Sequence, residues 1–116
     1  AAMGNTRTSR SAWGEVMDLT LPLKGIYFDQ IARGEKLFEY RLHTPYWDRR
    51  IVGRQYDNLV LTRGYPKGGG VEGLTRLTMP YRGYVPQRLK HEHFGPDEVP
   101  VLAIHAEYNP HNPRSE

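Results

Sequence analysis

Cysteine is absent from the 116 residues of this chain. That excludes disulfides, thiolate zinc sites and a cysteine nucleophile, and it suits a reducing cytosol. No run of about 18 apolar residues occurs, and no charged-then-apolar leader opens the chain. A cytoplasmic protein that neither spans a membrane nor is secreted is therefore expected. No internal repeat is visible. The glycine-rich stretch 64–73 (GYPKGGGVEG) lacks the Lys-Ser/Thr ending of a phosphate-binding P-loop, and no helical pattern follows it. It reads as a flexible loop between two strands. A metal centre lacks a third ligand: His91 and His93 flank Glu92 and can share a face of an extended segment, but no further donor is placed by spacing. A Mg²⁺ or Mn²⁺ held by one or two carboxylates plus a phosphate would leave little trace in a sequence, so that cofactor stays open.

What is present points to one small domain. The hydrophobic fraction is 38%, enough for a modest core, and a domain of this size buries about two-thirds of its unfolded surface without staples. The opening Ala-Ala-Met looks like a tag remnant; residues 1–15 are small, polar and aperiodic, and residues 109–116 (NPHNPRSE) hold two Asn-Pro pairs and no apolar anchor. Both ends are expected to be loose, leaving 16–108 as the domain. The net charge is +3. Residues 24–63 hold eight Lys/Arg against five acids, whereas the rest of the chain balances at eight of each. The whole excess sits in one segment, as a solvated face or as an anion-binding surface.

Short β-rich runs fill the body at 17–23, 37–42, 58–62, 74–84 and 99–108, with Pro80 and Gly83 marking a bent or bulged edge. Few helical periods compete with them. Residues 27–33 place Phe28, Ile31 and Ala32 at i, i+3 and i+4, and Gly34 follows as a left-handed cap. Residues 45–50 can add a turn with proline at its first position. A mainly β α+β fold follows, a small barrel of five to six strands with one or two short helices.

The segment 31–47 (IARGEKLFEYRLHTPYW) concentrates the chemistry. Strand alternation puts Glu39 and Arg41 on one face and Phe38 and Tyr40 on the other. The aromatic pair is expected in the barrel interior, with Glu39 and Arg41 projecting into a cleft that Lys36 reaches from the preceding turn. The alternative is a mutual ion pair on the surface. Arg41 offers a planar fork for phosphate, Lys36 a point charge for a developing oxyanion, and Glu39 a proton acceptor or an orienter of Arg41. Tyr46 can stack on an unpaired base or pack against the barrel wall, as Trp47 is expected to do. Arg49 and Arg50 can extend a phosphate track or serve as ordinary surface charges.

Gly34-Glu35-Lys36-Leu37-Phe38-Glu39-Tyr40-Arg41 resembles the Gly-x-Lys-x-x-Glu-x-Arg signature of the ASCH domain family, of phage and bacterial type, within the PUA-like superfamily of small β-barrels. The approach 26–32, the His43-Thr44-Pro45 step, Gly53-Arg54 ahead of 58–61, and 92–95 followed by 99–101 are also similar. The resemblance implies RNA or nucleotide binding, and ribonuclease activity on single-stranded RNA with Lys36, Glu39 and Arg41 as catalytic residues. It implies Lys36 and Arg41 as ligand contacts, to which the chemistry of the residues just downstream adds Tyr46, Arg49 and Arg50. A monomer is expected. A second branch of the family hydrolyses acyl groups from modified cytidine with a Lys and a Thr three residues apart; here Glu39 stands at the threonine position, which argues against that chemistry. A non-catalytic adaptor whose barrel edge binds protein is the remaining alternative.

Overall fold

A computed structural model describes residues 16–109. The arm 1–15 and all but the first residue of the tail 109–116 lie outside the described residues.

The chain leaves strand β1 (Asp18–Leu23) for helix α1 (Gly25–Ala32), β2 (Phe38–Leu42), α2 (Pro45–Ile51) and β3 (Asn58–Arg63). It ends with β4 (Arg76–Pro80), β5 (Tyr84–Leu89) and β6 (Val99–His105), with short 3₁₀ turns at Lys67–Gly69 and Glu92–Phe94. Local chemistry explains the elements. In β1 the leucines at 19, 21 and 23 are buried and Thr20 is exposed, the period of a half-buried strand. In α1, Phe28 and Ile31 form the buried stripe. Gly34 closes the helix at φ +77°. Its N–H donates to the Ile31 carbonyl (3.0 Å), and the Glu35 N–H donates to the Gln30 carbonyl (2.8 Å), a Schellman pair that satisfies helix-end acceptors. In α2, the Thr44 hydroxyl accepts from the Trp47 N–H at 3.3 Å and Pro45 occupies the first position.

Six strands form two three-stranded sheets, ordered β1-β3-β4 and β2-β6-β5. β1 and β3 run parallel, joined through α1, β2 and α2; the other pairings are antiparallel. Leu19, Leu21, Leu59, Leu61 and Leu77 from the first sheet meet Leu102 and Ile104 from the second and Phe28 and Ile31 from α1 in one core. The mainly β α+β class stands, but the barrel is not closed. Three of the four edge strands carry a proline that supplies no N–H to a joining ladder: Pro22 on β1, Pro80 on β4 and Pro86 on β5. The run read as one bent strand over 74–84 divides into β4 and the start of β5, with Gly83 at φ +87° between them. Proline at 86 breaks the alternation that would otherwise mark β5.

Candidate functional site: a charged aromatic cleft at the open seam

Glu39 pairs with Ile104 and Arg41 with Leu102 across the β2–β6 ladder. Both partners belong to the shared core cluster, which leaves out Ala103 and His105 opposite Tyr40 and Phe38, and residues opposite one another in a ladder share a face. Glu39 and Arg41 therefore lie on the core-facing side of β2. Phe38 and Tyr40 occupy the outer side, half-buried, with Phe38 against His105 at 4.9 Å between ring centroids and 6.3 Å from Tyr40. This reverses the expected partition, in which the aromatics went inside. Glu39 is only 5% exposed. A charge can sit there because it is fully partnered. Its Oε1 accepts from the Lys36 ammonium at 3.2 Å, and its Oε2 accepts from the Arg41 guanidinium.

Arg41 is also committed elsewhere. One terminal nitrogen donates to the Tyr40 carbonyl (3.2 Å) as well as to Glu39, and the other donates to the Pro22 carbonyl (2.9 Å). That last bond ties β2 of one sheet to β1 of the other across the seam a closed barrel would fill with a ladder. Lys36 donates to the Phe38 carbonyl and lies 4.7 Å from the Tyr40 ring centroid and 5.6 Å from that of Tyr27.

Along this seam runs a cleft of about 570 Å³, walled by Pro22 of β1, Tyr27 of α1, the Glu39–Leu42 segment of β2, and α2. Its size falls in the roughly 300–1,000 Å³ range of small-ligand sites. Tyr46, Trp47 and Arg50 line it from α2, whereas Arg49 does not. The Tyr46 and Trp47 rings meet edge to face at 4.9 Å, and the Arg50 guanidinium lies 5.8 and 5.7 Å from their centroids. A smaller recess adjoins the cleft, sharing Tyr27, Tyr40, His93 and Phe94 with it and lined further by Lys36 and His91.

The sequence motif therefore delivers Lys36, Glu39, Arg41, Tyr46 and Arg50 to one place. Several wall residues escaped it. Tyr27 precedes the Phe28–Ile31 stripe of α1, and nothing in its spacing marks it as a wall residue. Lys24 and Tyr65 lie in connections, and Tyr65 is 90% exposed. A bulky aromatic in a glycine-rich loop is the signal that could have marked it. His91 and His93 matter as ring walls rather than as ligands. Among the described residues, no three His, Asp or Glu side chains converge on a metal-sized space. Among the described residues, Glu39 is the sole carboxylate lining the cleft, and cations occupy both its oxygens. That donor set does not fit Mg²⁺ or Mn²⁺. No helix among the described residues is long and apolar enough to cross a membrane.

No family model, curated protein or solved structure matches this chain.

Proposed function

We propose that this is an ASCH-like domain that binds single-stranded RNA or a nucleotide in the seam cleft. The observation that carries the reading is the composition of the cleft wall. Tyr27, Tyr46, Trp47 and Tyr65 line the cleft together with the cations Lys24 and Arg50, and Lys36 lines the adjoining recess, over a volume suited to a nucleotide. Bases present π-faces to rings and phosphates present charge to cations, so this mixture matches an unpaired strand rather than a duplex or an apolar metabolite.

Within this reading the motif residues divide their work. Glu39 and Arg41 are positioning residues: they hold β2 against β1 and fix the floor of the cleft. Lys36 adds charge at the adjoining recess. Glu39 is poorly placed as a general base, since a proton would have to displace one of its two cationic partners. Binding is therefore the core of the proposal, and ribonuclease activity is its secondary, metal-independent part. The acyl-hydrolase alternative lacks its nucleophile, because Glu39 occupies the threonine position and is clamped.

Tyr46→Ala and Tyr65→Ala provide the test, since these rings are 53% and 90% exposed and contribute little to the fold. Each is expected to weaken binding of a labelled single-stranded RNA by about 1–3 kcal/mol without lowering the melting temperature. Unchanged affinity in both variants would defeat the stacking model. Incubating the wild type with a mixed RNA pool, with and without a chelator, reads any cleavage in the same preparation.

A further inference from the structure

Resting on that reading, we infer that Arg50 and Lys24 form a phosphate seat in the cleft, so that the ligand is a phosphorylated nucleotide and not a free nucleoside. The cations lining the cleft are not equivalent. Lys36 and Arg41 spend their donors on Glu39 and on the Pro22, Phe38 and Tyr40 carbonyls. Among the described residues, neither Lys24 nor Arg50 forms an ion pair. Arg33, Arg63, Arg76 and Arg88 are matched with Glu35, Asp29, Glu72 and Glu98. Among the described residues Arg49, Arg54 and Arg82 also lack an ion pair, but unlike Arg50 they do not line the cleft.

A second observation is independent of that charge count. The Arg50 Nε is buried and has no hydrogen-bond partner. A covered donor left unsatisfied is costly, so this guanidinium is held in place by the Tyr46 and Trp47 rings rather than by an acceptor. It is oriented, charged and uncommitted. A planar fork in that condition suits a phosphate, which can accept two of its N–H groups. Lys24 lines the same cleft from the connection between β1 and α1. A phosphate between the two cations would leave the attached base free to stack on Tyr46 or Tyr65. A nucleoside would leave both cations unanswered.

The experiment compares the common ribonucleosides, their 5′-monophosphates, inorganic phosphate and a short single-stranded RNA, each titrated into the wild type, Arg50→Gln, Lys24→Gln and Arg49→Gln. Arg49 does not line the cleft and serves as the charge-matched control. Monophosphates are expected to bind at least tenfold more tightly than nucleosides. Arg50→Gln should remove that advantage and lower the slope of log affinity against log salt for the RNA by about 0.7, the counterion share of one phosphate contact on a single strand. Arg49→Gln should change neither. Lys24 is exposed, so Lys24→Gln keeps the test decisive if Arg50→Gln melts early; it should reduce the same advantage several-fold. Nucleosides binding as tightly as their monophosphates would overturn the seat. So would RNA binding that keeps its salt slope in both Arg50→Gln and Lys24→Gln, and that result leaves the parent reading intact. No binding of RNA, nucleotide or nucleoside overturns both.

Discussion

Glu39 shows how a buried charge is tolerated at one position of an edge strand. Its two oxygens face two cations, and the three side chains are between 6% and 16% exposed. Removing the central charge would leave Lys36 and Arg41 without a counter-ion in a poorly hydrated place. Glu39→Gln is therefore expected to destabilise the fold by about 3–5 kcal/mol, read by denaturant unfolding; a loss below about 1 kcal/mol would show that the cluster is solvated. Tyr81 presents the opposite case, a buried hydroxyl with no partner among the described residues. Burial pushes its pKa up to about 12 from 10.0. The neutral form is then favoured in the folded chain. This contribution is complete below pH 10 and declines as pH rises towards about 12, because the unfolded chain ionises first. Tyr81→Phe should leave neutral-pH stability unchanged or raise it by up to about 1 kcal/mol, and it should flatten the alkaline decline. A steeper decline in the phenylalanine variant would contradict the assignment.

At the scale of elements, α2 is the piece that brings Tyr46, Trp47 and Arg50 to the cleft, and it is short: Pro45–Ile51. A helix of two turns depends on its cap and its packing rather than on propensity. Its first turn rests on the Thr44 hydroxyl and its last on Ile51, which is fully buried. Thr44→Ala is expected to cost about 1 kcal/mol of stability and to weaken RNA binding along with it, since Tyr46, Trp47 and Arg50 move with the helix. Unaltered binding after that loss of stability would mean that α2 is not part of the site. The sequence made this helix legible through proline at 45, as it did α1 through Phe28, Ile31 and Gly34. The inward face of β2 was not legible in the same way. Alternation separates Phe38 and Tyr40 from Glu39 and Arg41, but period two does not say which set faces the core. Hydrophobicity favoured the aromatics, and the Lys36–Glu39–Arg41 cluster overrode it by satisfying its own charges.

On the scale of the whole molecule, an unclosed barrel accounts for the position of the site. Two sheets share one core while their β1 and β2 edges remain unpaired by a ladder, and the cleft occupies that seam with the Arg41–Pro22 bond beneath it. Closure could not be read from the sequence, because it depends on which edges meet, and that is set by long-range pairing. The net positive segment 24–63 supplies Lys24, Lys36, Arg41 and Arg50 to this seam, which is why the charge asymmetry and the motif coincide. Binding of an unpaired strand by charge and stacking is the function proposed for the seam. It is tested most directly by measuring the affinity of the wild type for a single-stranded RNA across a salt series, beside a duplex of the same sequence. A linear fall of log affinity with log salt is expected, with a slope of about −0.7 for each phosphate held on a single strand, and weaker binding of the duplex. Affinity independent of salt, or a preference for the duplex, would contradict that function.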